Sequence, residues 1–153
     1  MKKKPNLMTA MTPFPYSVTL DTLFSDARKL MKEHSVNYLP IMDEKKLVGV
    51  IARHDIKARK KIRLVTEDKS KLQIKDAYIA KPYVVDIHEP PENVLLAMAK
   101  LRHSATLVIK QEKLVGILTY LDVCRYMGNY LKEKLQVSIM MQPSNLFKLW
   151  LDS

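Results

Sequence analysis

The segment KLVGVIARHD at residues 46–55 recurs as KLVGILTYLD at residues 113–122, and this recurrence decides the fold. A shift of 67 residues extends the match without a gap, so that residues 10–57 align with residues 77–124. Ten of the 48 aligned positions are identical, where average composition would give roughly three. We therefore interpret the chain as one structural unit that is present twice.

Each unit is predicted to begin with a strand and a helix. The strands are expected at Tyr16–Thr19 and Tyr83–Asp86, each just after an X-Pro pair that disfavours helix. The helices are indicated by apolar stripes at helical spacing, and Asp21 or Thr22 is expected to cap the first one. The stripe residues are Leu23, Ala27, Leu30 and Met31 in the first copy and Val94, Ala97, Met98 and Leu101 in the second.

A hairpin and a second helix complete each unit. Short apolar runs on either side of a charged turn predict the hairpins, and an Asp opens each final helix. The expected ranges are Tyr38–Met42, Leu47–Ile51 and Asp55–Lys61 in the first copy, and Thr106–Ile109, Leu114–Leu118 and Asp122–Leu135 in the second.

The predicted fold class is therefore α/β: two β-α-β-β-α domains packed by their sheets with pseudo-two-fold symmetry. A unit of about 50 residues is too small to be secure alone, and the paired units are expected to share a core. We divide the chain into a basic N-terminal segment, a first domain, a basic linker, a second domain and a hydrophobic tail, at residues 1–9, 10–61, 62–76, 77–136 and 137–153.

Charge is concentrated in two places. The chain carries a net charge of +10, most of it from Lys2–Lys4 and from the stretch 57–75. Such stretches attract nucleic acid, anionic lipid or a phosphorylated ligand, or they simply keep a linker solvated, and both interpretations stay open. The chain holds a single cysteine and has no apolar run of the roughly 20 residues that cross a bilayer. We expect a cytoplasmic protein with no membrane partner.

The sequence offers no catalytic constellation and no metal site. The four histidines, His34, His54, His88 and His103, have no metal-ligand spacing with one another or with Cys124. With three glycines in the chain, no Gly-rich phosphate loop can be formed. An enzyme is therefore not expected, and no cofactor is required.

The duplicated motifs resemble the cystathionine-β-synthase (CBS) domain, and two in tandem resemble a Bateman module. The similarity rests on MTPFPYSV, YLPIMD and LVGVIARHD in the first copy and on VLLAM and LVGILTYLD in the second, at residues 11–18, 38–43, 47–55, 94–98 and 114–122. The resemblance implies that an adenine nucleotide or S-adenosylmethionine binds in clefts between the two domains. It also implies a homodimer.

The main cleft is expected around Asp122. A carboxylate at a helix start can accept hydrogen bonds from both ribose hydroxyls, and the Thr119 hydroxyl and nearby N–H groups can hold a phosphate. A plain helix N-cap is the alternative role for this Asp. Position by position, the resemblance implies a nucleotide site of Thr12, Tyr16, Ser17, Val36, Asn37, Ile117, Thr119 and Asp122.

The second cleft, around Asp55, is expected to be weaker, with Val84 and Ala105 on its other side. We match Ala52 to Thr119, Ile79 to Thr12 and Ala105 to Asn37, so that three polar groups are missing at once. Each lost hydrogen bond to a buried ligand costs about 1–3 kcal/mol. We expect this cleft to be empty or structural.

The predicted function is a regulatory module that senses an adenosyl ligand and relays its occupancy to an effector protein. The alternative is a nucleic-acid-associated regulator that uses Lys2–Lys4 and the 57–75 stretch. The tail after Pro143 contains SNLFKLWL at residues 144–151 and is expected to pack on its own domain or across a dimer.

Overall fold

A computed structural model describes residues 6–62, 69–77 and 81–141. Each copy has the predicted β-α-β-β-α order. The first copy comprises β2 (Val18–Thr19), α2 (Phe24–Glu33), β3 (Tyr38–Asp43), β4 (Lys46–Ala52) and α3 (Arg53–Ile62). The second comprises β5 (Val84–Asp86), α4 (Pro91–Leu101), β6 (Ala105–Lys110), β7 (Lys113–Thr119) and α5 (Tyr120–Met141). The α/β fold class is confirmed.

The predicted cap of the first long helix is wrong. Leu23 occupies the N-cap position of α2 and makes no side-chain capping bond. The Thr22 hydroxyl accepts instead from the backbone N–H of Thr19 at 3.0 Å, which closes the turn before the helix. Asp21 pairs with Lys75 at 2.7 Å, so its carboxylate is also directed elsewhere.

The two sheets repeat the same pairing. β2 runs parallel to β3, and β3 pairs antiparallel with β4; β5, β6 and β7 repeat this arrangement. A register shift occurs between Ile41 and Met42 in the first hairpin and between Val108 and Ile109 in the second. These positions are 67 residues apart, so even the irregularity of the hairpin is duplicated.

Short segments from each side of the repeat pack on the opposite copy. The single-turn helix α1 (Leu7–Ala10) and the strand β1 (Thr12–Pro13) precede the first copy, yet β1 pairs with β7 and Leu7 is fully buried in the second core. Conversely, Ile74 lies in the first core, within the 3₁₀ turn Ile74–Asp76 before the second copy. Packing therefore crosses the boundaries that the repeat suggests, and β1 reaches the start of α5.

Both central strands are buried on both faces. In β3 the consecutive residues Leu39, Pro40 and Ile41 are all buried, and β6 repeats this with Thr106, Leu107 and Val108. Because neighbouring side chains on a strand point to opposite faces, each sheet is covered on both sides. The helix-facing residues form two clusters, one for each copy, instead of the single shared core expected from the sequence.

Candidate functional site

The carboxylate of Asp122 is at the centre of a hydrogen-bond network at the start of α5. Its Oδ2 accepts from the Thr119 backbone N–H at 2.9 Å and from the Thr119 hydroxyl at 2.8 Å. The Asp122 N–H lies 3.4 Å from the same hydroxyl, which makes the pair a reciprocal capping box. The N-cap role that the sequence left open is therefore present in the structure.

The other carboxylate oxygen of Asp122 joins two parts of the chain. Its Oδ1 accepts from the Thr12 hydroxyl at 3.0 Å and from the Arg125 guanidinium one helical turn further on. The pairing of β1 with β7 places Thr12 directly opposite Ile117. The N-terminal segment and the second copy thus build this site together, because Thr12 comes from one and Asp122 from the other.

Asp122 is nearly closed to solvent, with 4% of its surface exposed. Four donor groups engage its two oxygens, and the guanidinium of Arg125 provides a counter-charge. A ribose that binds here has to replace the Thr12 and Arg125 contacts on Oδ1, since Oδ2 is held by the turn itself. Ligand binding and this internal network therefore compete for the same oxygen.

The remaining residues expected at this cleft are ordered differently. The Tyr16 ring stacks on the His34 ring with centroids 3.7 Å apart. The Asn37 carbonyl accepts from the Arg53 N–H, and Val36 packs against the first core. Ser17 is exposed. Thr12, Ile117, Thr119 and Asp122 thus form one connected group, and no contact described in the structure links Tyr16, Ser17, Val36 or Asn37 to it.

The Asp55 cleft is the more open of the two. A cavity of about 170 Å³ lies between the two copies, next to an Asp55 side chain that is 33% exposed. Asp55 Oδ2 accepts from the Ala52 N–H at 3.2 Å, and Oδ1 lies 3.4 Å from His54 Nε2. The cavity is lined by Tyr38, Val50, Ala52, His54, Asp55, Lys81, Tyr83, Arg102, His103, Ser104 and Ala105.

One match made for this cleft is wrong. The strand register aligns Ala105 with Tyr38, because Tyr38 pairs with Ala52 and Ala105 pairs with Thr119. Asn37 therefore corresponds to Ser104: Arg53 N–H bonds the Asn37 carbonyl, and Tyr120 N–H bonds the Ser104 carbonyl in the same way. Ala105 does line the cavity, as does Tyr83 in place of its neighbour Val84. Since Ser104 keeps a hydroxyl, the cleft has lost fewer polar groups than expected.

Several residues at the two clefts escaped the sequence analysis. Arg125 could have been found, because a base three residues after an acid lies on the same helix face. Arg102 and His103 give no such signal: their place in the cavity depends on the left-handed turn at Arg102 that ends α4. Lys81 also lines the cavity, so its walls carry more positive than negative side chains.

A larger cavity, of about 290 Å³, lies away from both clefts and contains none of the residues expected to bind ligand. It is lined by Asn6, Met8, Ile87, His88, Glu89, Pro90, Pro91 and Lys110.

The basic segments and the tail lie largely outside the described residues. This applies to Lys2–Lys4, to most of the 57–75 stretch and to the tail after Pro143. At the edge of that stretch, the ion pair with Asp21 raises the pKa of Lys75. Within the described ranges, no helix is long and apolar enough to cross a bilayer. The same ranges contain no cluster of His, Cys, Asp and Glu side chains that could hold a metal ion.

Comparison with known proteins places these clefts in a family. The family model described as CBS domain matches residues 7–70 and 74–129. The uncharacterised protein YlbB of Bacillus subtilis is 32% identical over 125 residues, covering 80% of each chain. An inosine-5′-monophosphate dehydrogenase of Korarchaeum cryptofilum is 27% identical over 108 residues, which are 70% of this chain but 21% of that enzyme. The chain therefore spans about a fifth of that enzyme's length.

Two solved structures show the same fold with ligands. The CBS domain pair of protein MJ0100, in complex with 5′-methylthioadenosine and S-adenosyl-L-methionine, superposes with a TM-score of 0.70 at 26% identity, covering 80% of this chain and 99% of that one. The structure of CBSX2 in complex with AMP gives a TM-score of 0.69 at 25% identity, with 82% and 97% of the two chains covered.

Proposed function

Because this chain belongs to the CBS domain family, we propose that it is a non-catalytic regulatory module that binds an adenosyl ligand between its two copies. The ligand class is that of the two similar structures, which hold 5′-methylthioadenosine with S-adenosyl-L-methionine and AMP. We propose the Asp122 cleft as the principal site and the Asp55 cleft as the weaker one.

The hydrogen bond from Thr12 to Asp122 carries this proposal. It joins the segment before the first copy to the helix that ends the second, at a carboxylate suited to a ribose. A ligand that takes Oδ1 changes this join, and it favours whichever arrangement of the two copies binds it better. Occupancy is in this way converted into a difference of structure that a partner can recognise.

Isothermal titration calorimetry tests the proposal. AMP, ADP, ATP, 5′-methylthioadenosine and S-adenosylmethionine are titrated in turn into the wild type, Asp122→Ala and Asp55→Ala. We expect at least one ligand to bind the wild type, with much of the affinity lost in Asp122→Ala and little lost in Asp55→Ala. If none of the five ligands binds the wild type, the sensor function is wrong.

Thr12→Val is the matched control for a fold defect in Asp122→Ala. It removes one hydroxyl from Oδ1 but leaves the capping box of Thr119 and Asp122 intact. We expect this variant to keep the fold and to change ligand affinity. Equal losses in Asp122→Ala and Asp55→Ala would instead show that the two clefts are equivalent.

The wider setting is also a proposal. The similarity to a fifth of a dehydrogenase supports a role in which such a pair regulates another protein. We propose a cytoplasmic homodimer that passes ligand occupancy to an effector protein. Light scattering of the full chain and of a chain lacking residues 143–153 tests the dimer, and an unchanged dimer in the shorter chain would exclude a dimer role for the tail.

A further inference from the structure

The helix α5 carries an exposed stripe that faces away from its own domain. Its members follow one another at alternating spacings of three and four residues, and all are exposed: Leu121, Cys124, Gly128, Leu131 and Leu135. This spacing repeats every seven residues, which is the pattern of a helix that packs along another helix. We call these five residues the α5 seam.

The opposite face of the same helix supplies the contacts with the domain. Asp122 is buried, and Val123 and Tyr126 pack against the second core. Because one residue advances by about 100° around a helix, these three lie on the side of α5 opposite to the seam. The seam is therefore the face left over after α5 has packed on its own copy.

The second half of α5 projects from the domain. From Gly128 onward, every residue whose side chain the structure describes is exposed, including Leu131 at 54% and Leu135 at 57%. A helix of this length is marginal in water without packing against an apolar face. The projecting part of α5 therefore requires a partner surface.

We propose that the partner is a second copy of the chain, with the two α5 helices packed in parallel along their seams. This inference rests on the homodimer of the proposed function and specifies its interface. Cys124 and Gly128 are small, and the space around Gly128 is open to 4 Å, so a neighbouring helix can come close at this level.

Charge selects the orientation. Arg125 and Lys132 lie on one side of the seam, and antiparallel pairing would set that side against itself. Parallel pairing sets it against the other side, where Met127 lies and where Lys134 is already held 5.5 Å over the Tyr130 ring. Arg125 is engaged by Asp122 as well, so the parallel pair contains no direct opposition of free like charges.

A parallel pair brings each seam residue next to its own equivalent in the other copy. Cys124 then lies beside the Cys124 of the second copy, within the range that a disulfide can bridge. The chain contains no other cysteine, so a covalent dimer reports this one contact.

The test is oxidative cross-linking of the full chain with copper phenanthroline, read on a non-reducing gel. Two single-cysteine variants are built in a Cys124→Ser background: Leu131→Cys on the seam, and Glu133→Cys on the other side of the same exposed turn. We expect dimers from the wild type and from Leu131→Cys, and monomers from Glu133→Cys.

Cross-linking at Glu133→Cys as strong as at the seam, or none at either seam position, would overturn the proposal. Dimers that form only after removal of residues 142–153 would show that this segment covers the seam, which also overturns it. Leu131→Lys with Leu135→Lys should lower the mass in light scattering from dimer to monomer without loss of circular dichroism from the core. Calorimetry on the same samples separates the two ideas, because ligand binding can fail while the seam still cross-links.

Discussion

Replacing Asp122 should destabilise the protein far more than replacing Asp55, although the two residues occupy the same place in the repeat. Asp122→Ala removes four hydrogen bonds to a nearly buried carboxylate and breaks a reciprocal capping box. Asp55→Ala removes one backbone hydrogen bond of 3.2 Å from a side chain that is 33% exposed.

The expected magnitudes follow from these contacts. A hydrogen bond to a charged group contributes about 1.5–3 kcal/mol, and a helix cap contributes about 1 kcal/mol. These contributions are not additive, and water reaches part of the network once the carboxylate is gone. We expect a loss of about 2–4 kcal/mol for Asp122→Ala and about 0.5–1 kcal/mol for Asp55→Ala. The difference corresponds to roughly 4–8 °C in melting temperature for a chain of this size.

Urea unfolding followed by far-ultraviolet circular dichroism measures both losses without ligand. Thr12→Val removes a single bond and should cost about 1 kcal/mol. Combined with Asp122→Ala it should cost less than the sum of the two changes, because the two side chains share that bond. If Asp122→Ala and Asp55→Ala lose the same stability, the network around Asp122 does not hold α5 to the N-terminal segment, and the reasoning is refuted.

Three further predictions concern the second copy. A Cβ on Gly116 would lie 2.3 Å from Met11 Sδ; Gly116→Ala should therefore cost about 1–3 kcal/mol of unfolding free energy, and a Met11→Ala background should reduce that cost. Thr106 is fully buried and its hydroxyl has no hydrogen-bond partner among the described residues; Thr106→Val should raise the stability by about 1 kcal/mol in urea unfolding, and a loss would reveal a hidden partner. The backbone N–H of His88, and then its ring, lower the pKa of Asp86; the stabilisation is present at neutral pH and disappears as the pH falls through that lowered pKa. An NMR titration should find the Asp86 midpoint below its ordinary value, and still below it in His88→Ala, since the backbone donor remains.

Much of the architecture could be predicted from the sequence because the repeat is local and periodic. The alternation of apolar residues around the turns at Asp43 and Lys110 gave both hairpins to within a residue or so at each end. The helix start at Asp55 was predicted two residues late, since α3 begins at Arg53. The predicted cap at Asp21 or Thr22 failed because both side chains had nearer partners in Lys75 and Thr19.

The candidate site could be predicted only in part. The pairing of Thr119 with Asp122 is fixed by a three-residue spacing within one helix start, so the motif alone placed both groups. The partners of the other carboxylate oxygen depend on where the N-terminal segment goes, and the pairing of β1 with β7 brings Thr12 there across 110 residues of sequence. The equivalence of Asn37 and Ser104 likewise became clear from the strand register.

The sequence by itself determined that one β-α-β-β-α unit is present twice, because hydrophobic period, turn chemistry and motif spacing are properties of neighbouring residues. The tertiary structure alone decided that segments exchange between the copies, that Asp122 is closed by Thr12 and Arg125 while Asp55 stays open, and that the α5 seam is left uncovered. These features depend on contacts between residues far apart in the chain, and no local pattern encodes which distant group reaches a given carboxylate first.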